Sequence, residues 1–164
     1  MRYALVVAVA LCGPQQVVAV TLEQVILHEH PLFKPREAHL TVGRDGRVYL
    51  ACWGVSATPY GYVMRLSRDG KDRFGAEVVA AAFNATANKD GTLATANPGY
   101  GGHKVAVYGP SFRVRGGVDD FAPDHGPAHV EAGEGGDFYG LDHHRARIVR
   151  VSPAGRLVKV YSLP

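Results

Sequence analysis

Asp45-Gly46-Arg47-Val48-Tyr49-Leu50 is the stretch whose reading decides the fold. An Asp-Gly pair followed by a short run of alternating apolar residues predicts a β-hairpin, because both central residues of a tight turn can take positive φ. The signal returns at Asp90-Gly91, followed by Thr92-Leu93-Ala94-Thr95, and at Gly135-Gly136, followed by Asp137-Phe138-Tyr139. Successive turns stand 45 residues apart. A short alternating run also precedes each turn, carried by Leu40 and Val42, by Ala85 and Ala87, and by Val130 and Ala132. A fixed period of this length marks a repeat architecture.

Each unit continues into a second hairpin, at Ser67-Arg68-Asp69-Gly70, Tyr108-Gly109-Pro110-Ser111 and Ser152-Pro153-Ala154-Gly155. Two hairpins make four strands per unit, the arithmetic of a propeller blade. A helical repeat of similar period would need apolar residues at 3.6 spacing over ten or more positions, and no segment after residue 30 supplies them. Composition agrees: 46% of the 164 residues are hydrophobic and 20% charged, while 20 Gly and 10 Pro make a turn-dense chain. The chain therefore reads as all-β, a partial β-propeller of three four-stranded blades, with units near 38–82, 83–127 and 128–164.

The third unit resembles an NHL repeat. Gly136-Asp137-Phe138-Tyr139-Gly140-Leu141-Asp142 is similar to that family's Gly-x-apolar-Tyr-x-x-Asp stretch, and the run from Arg147-Ile148 to Pro153-Ala154-Gly155 to its Arg-Ile-x-x-apolar-x-Pro-x-Gly continuation. The resemblance reaches back to about residue 38, with Cys52 and Asn97 standing where the third unit has Asp142. It implies a six-bladed, TolB-like propeller, of which three blades are half. Three blades cannot close a ring, so the remaining blades of a longer chain or a second copy must cover the open flanks.

Blade topology places the start of the inner strand and the loop joining the second and third strands on one side, opposite the Asp-Gly turns. Seven residues before each marker glycine stand His39, Asn84 and His129, which are expected to ring the channel mouth. The loops on that side are expected to contribute Trp53, Tyr60 and Tyr62, then Asn97, Tyr100 and His103, then Asp142, His143, His144 and Arg145. Exposed aromatics beside a few convergent polar groups are what ligand sites are made of. The preferred reading is a module that binds a small molecule or a protein through this face. The other is a metal-dependent lyase or hydrolase: peptide-amidating lyases, which share this type of propeller, hold zinc through one histidine per blade near this position. His39 and His129 would then be ligands to zinc or calcium, although Asn84 leaves the set short of the three protein ligands that a catalytic zinc usually has.

Other chemistries find no foothold. No Gly-x-Ser-x-Gly elbow is present, and Cys52 has no positive neighbour to lower its pKa. His28-Glu29-His30 lacks the second helical histidine of a zinc protease, and the Gly-rich runs at 99–102 and 133–136 open no helix. The net charge of +3 comes from 18 basic and 15 acidic residues scattered along the chain, so no nucleic-acid partner is expected. Residues 1–19 read as a secretory signal: Arg2, the apolar run Tyr3 to Cys12, then Gly13-Pro14 and Val17-Val18-Ala19. The run is too short for a permanent anchor across roughly 30 Å of hydrocarbon. A secreted or periplasmic location follows, and cleavage after Ala19 leaves Cys52 alone, unable to form an internal disulfide.

Overall fold

A computed structural model of the chain describes residues 35–54, 61–66, 73–78, 82–97, 103–121, 126–127 and 129–164. Residues 1–19, read above as a secretory signal, Tyr60, Tyr100 and the turn expected at 67–70 lie outside them. The described residues form three four-stranded antiparallel sheets, each a simple meander in chain order. Blade 1 comprises β1 (Pro35–Val42), β2 (Val48–Gly54), β3 (Gly61–Leu66) and β4 (Arg73–Val78). Blade 2 comprises β5 (Asn84–Ala87), β6 (Leu93–Ala96), β7 (Val105–Tyr108) and β8 (Val114–Val118). Blade 3 comprises β9 (Val130–Ala132), β10 (Phe138–Asp142), β11 (Arg147–Val151) and β12 (Leu157–Ser162). The 45-residue period survives in the ladders: Val42 pairs with Val48, Ala87 with Leu93 and Ala132 with Phe138.

The turns differ from the expected two-residue form. In all five described hairpin turns between the first and second or the third and fourth strands, two backbone hydrogen bonds close a three-residue loop. Gly43 N–H donates to Arg47 O at 2.8 Å and Gly46 N–H to Gly43 O at 2.9 Å, and the same pair of bonds recurs from Asn88, Gly109, Gly133 and Ser152. Only the last loop residue is left-handed: Gly46, Gly91, Gly136 and Gly155 at φ 73° to 87°, and Phe112 at φ 60°. This is a type I turn followed by a glycine bulge. Asp45 and Asp90 keep negative φ and instead accept the amide two residues on, from Arg47 at 3.0 Å and Thr92 at 2.8 Å. An aspartate can stabilise a turn through that local bond without going left-handed itself.

Alternation then sorts each strand into a face toward the preceding blade and a face toward the next. Between blades 1 and 2 lie Tyr49, Ala51 and Val63 against Ala85, Ala87, Leu93, Ala106 and Tyr108. Between blades 2 and 3 lie Ala94, Ala96, Val105 and Val107 against Val130, Ala132, Phe138, Val149 and Val151, with Phe121 beneath. The turns interlock at one end of the blades. Arg44 donates its amide to Ala87 O of blade 2 at 2.8 Å and its Nε to Ala132 O of blade 3 at 2.7 Å. Asn88 Nδ2 donates to Gly136 O at 3.1 Å. Hydrogen bonds running between turns of different blades tie this end of the blades together.

Candidate functional site: the loop face of blades 2 and 3

The face opposite the interlocked turns is organised by two consecutive acids after β8. Asp119 turns back: its carboxylate lies 2.9 Å from His103 Nδ1 and accepts the Lys104 amide at 3.2 Å, fastening the loop that leads into β7. Asp120 turns forward: it accepts from Arg145 Nη1 and from Arg147 Nη2, each at 3.2 Å, reaching the corresponding loop of blade 3. Arg147 also donates its Nε to Asp142 Oδ2 at 2.9 Å. The hydrogen bond from Arg147 holds the Asp120 carboxyl below the usual carboxylate range, more than offsetting the opposite pull of partial burial. Burial works against the Arg147 cation, but its bonds to Asp120 and Asp142 together raise its pKa.

Asp142 is 1% exposed and caps a short 3-10 helix, His143–Arg145, accepting the Arg145 amide at 3.3 Å. The helix ends on Ala146 in the left-handed region at φ 45°. His143 and His144 lie exposed with ring centroids 4.0 Å apart. Arg145 is exposed beside them, so this loop offers two imidazoles and a guanidinium to solvent on a capped backbone. Asn97 holds the repeat-equivalent position in blade 2 and is fully buried, next to Gly126, where a Cβ would come within 2.0 Å of the Asn97 carbonyl oxygen.

We expect Asp142→Ala to cost about 1–3 kcal/mol, since it strips the cap and leaves Arg147 with one acid in place of two. An unchanged midpoint in urea unfolding would show the cap to be dispensable.

The other expected site residues fall differently. His39, Asn84 and His129 do occupy equivalent ladder positions: His39 pairs with Ala51, Asn84 with Ala96, and His129 O accepts the Leu141 amide at 3.4 Å. Their surroundings diverge. His39 lies inside β1, not at its start, because that strand begins at Pro35, and it is exposed. Asn84 is 5% exposed, and its Oδ1 accepts the Val130 amide of blade 3 at 2.9 Å, so it joins two inner strands and does not line an open mouth. His129 is exposed, with Nε2 2.7 Å from Glu131 Oε1. Trp53 and Tyr62 belong to strands β2 and β3, not to the loop between them; Trp53 pairs with Gly61 and Tyr62 with Cys52. The ladder runs further toward that loop than the turn-like residues suggested. Asp119, Asp120 and Arg147 organise the face, yet only their positions just beyond β8 and at the start of β11 could have singled them out.

No group of three or more His, Cys, Asp or Glu among the described residues is placed to hold a metal, and the oxygen of Asn84, which stands between His39 and His129 in the repeat, accepts the Val130 amide. No helix among the described residues is long and apolar enough to cross a membrane.

No protein-family model and no curated protein matches the sequence. Solved structures do. Selenomethionine-substituted virginiamycin B lyase from Staphylococcus aureus is 14% identical with a TM-score of 0.51, and a streptogramin B lyase structure is 15% identical with a TM-score of 0.54. Each match covers 76% of this chain and 40% of the other, so the chain spans well under two thirds of the length of these neighbours. At such identity the likeness speaks to the fold alone. Three meandering four-stranded sheets in a 45-residue repeat, packed face to face and similar to these solved propellers, make this chain a set of three β-propeller blades.

Proposed function

We propose that this is an NHL-type β-propeller module that works outside the cytoplasm and binds a small molecule or a protein through the loop face of its blades. The observation that carries the reading is the built loop of blade 3 on the face opposite the interlocked turns. It presents His143, His144 and Arg145 at the surface on a backbone that Asp142 holds in place. Exposed groups on a pre-organised loop bind without a large ordering cost. The extracytoplasmic location rests on the secretory character of residues 1–19.

The second reading, a metal-dependent lyase or hydrolase, draws on the likeness to the two lyases and on His39 and His129 at equivalent positions. Equilibrium dialysis against zinc and against calcium separates the two, followed by incubation with virginiamycin B. For the binding module we expect no stoichiometric metal after dialysis and no turnover of virginiamycin B. One retained metal per chain, lost in both His39→Ala and His129→Ala, would replace the module with the enzyme.

A further inference from the structure

The arginines at the turn end of the blades break the repeat in one place. In blade 3, Arg150 stands opposite Tyr139 in the ladder and donates its Nε to Asp137 Oδ2 at 2.6 Å, so a carboxylate at the end of the turn answers the cation. In blade 1 the same ladder position, opposite Tyr49, holds Arg65, but the place of Asp137 in the 45-residue period is taken by Arg47. A second guanidinium thus stands where blade 3 has an acid. Burial raises the pKa of the Tyr49 hydroxyl and its bond to Asp45 raises it further, while the charges of Arg65 and Arg47 both pull it down, so the two guanidinium groups act on one hydroxyl.

Blade 2 brings a third guanidinium to the same place. Arg65 Nη1 donates across the blade boundary to Pro110 O at 2.8 Å, and Arg115 Nη1 donates to Thr92 Oγ1 at 3.1 Å. The turns of the two blades meet at Gly91, where a Cβ would lie 3.7 Å from Asp45 Oδ2, 3.7 Å from Pro110 Cβ and 3.9 Å from Arg47 Nη1. Lys89 and Arg113 are exposed in the same turns. The acids beside them are already engaged. The Asp45 carboxylate is 2% exposed and accepts from Arg47 and from the Tyr49 hydroxyl, and Asp90 accepts from Thr92, whose bonds hold its carboxyl below the usual carboxylate range. Arg115, by contrast, is exposed and uses one of its N–H donors on Thr92, and the Arg47 side chain is 47% exposed. Guanidinium groups gathered with donors toward solvent attract an anion. A carboxylate is planar and meets one fork, whereas a tetrahedral oxyanion presents oxygens to several guanidinium groups at once. We propose that the turn end of blades 1 and 2 is an oxyanion site that takes a phosphate or sulfate group on Arg47, Arg65 and Arg115.

The site lies at the opposite end of the blades from His143 and His144 and does not depend on what the loop face binds. An NMR titration of the full chain with sodium phosphate at constant ionic strength tests it. The expected result is a saturable shift of the Gly91, Thr92 and Ser111 amides, weaker when the constant ionic strength is set higher and reversed by competing sodium sulfate. Arg47→Gln and Arg115→Gln should each weaken binding at least ~10-fold, because each removes charge-assisted hydrogen bonds to the anion. Arg156→Gln, in the turn of blade 3, should leave it unchanged. The amide spectrum shows whether each variant has folded; if Arg115→Gln has not, Arg115→Lys, which keeps the charge and loses the fork, takes its place and should weaken binding too. O-phosphoserine in place of inorganic phosphate distinguishes the source: tighter binding assigns the site to an ester carried by a larger molecule, weaker binding to the free ion. An amide response that only grows linearly with phosphate overturns the proposal, and so does binding that neither substitution weakens or that Arg156→Gln weakens as much.

Discussion

Phe138→Ala is expected to destabilise the chain by about 3–5 kcal/mol, the range for removing a large aromatic side chain from a closed core. Phe138 is 0% exposed and lies in the contact between blades 2 and 3, among Val105, Val107, Val130, Val149 and Val151. Those neighbours are β-branched residues on strands of two different sheets, held in register by their ladders, so they cannot collapse into the space that the ring leaves. Val105 and Val107 of that cluster belong to blade 2, and the substitution therefore loosens the seam between blades as well as β10. Urea unfolding of parent and variant measures this, as a lower midpoint at unchanged slope. A shift worth less than about 1 kcal/mol would mean that blade 3 does not share its core with blade 2.

Gly155→Ala is expected to cost about 2–4 kcal/mol, from two sources that a control can separate. Gly155 has φ +73°, where any side chain is strained. Its missing Cβ would also lie 2.4 Å from the carbonyl carbon of Gly116 and 2.7 Å from the Gly117 nitrogen, which are backbone atoms of β8 in the neighbouring blade and cannot turn aside. Gly46 shares the backbone conformation, at φ +76°, but a Cβ there meets nothing within 4 Å. Gly46→Ala should therefore show the conformational cost alone, about 1 kcal/mol. Equal effects of the two substitutions in thermal or urea unfolding would exclude the close approach of the blade 3 turn to β8.

The equivalent turn of blade 2 shows why the neighbour matters. There the left-handed residue is Phe112, whose ring packs beside the core between blades 1 and 2 with the Arg65 guanidinium 5.7 Å away. Arg65 also donates to Pro110 O at 2.8 Å. A phenylalanine in that conformation is costly, and the contacts it makes across the blade boundary offset the strain. A turn signal that relies on glycine passes over it.

Local chemistry was enough for much of this protein. The 45-residue spacing of Gly46, Gly91 and Gly136, with alternating apolar runs on either side, specifies hairpins and hence blades, because turn conformation and strand alternation are set by residues adjacent in the chain. The equivalence of Asn97 and Asp142 was legible for the same reason, as a polar residue at a fixed distance from the turn, but their burial was not, since the sequence placed both on the open loop face. What only the tertiary structure decided involves partners far apart in sequence. Asn84 looked like a channel residue until Val130, 46 positions away, took its oxygen. Asp119 and Asp120 are an unremarked acidic pair in the sequence; blade packing sends one back to His103 and the other forward to Arg145 and Arg147. Arg44 reaches Ala132 across 88 residues to close the turn face. Such contacts depend on how one sheet lies against the next, and the chain signals that arrangement only through the sizes of the side chains between them.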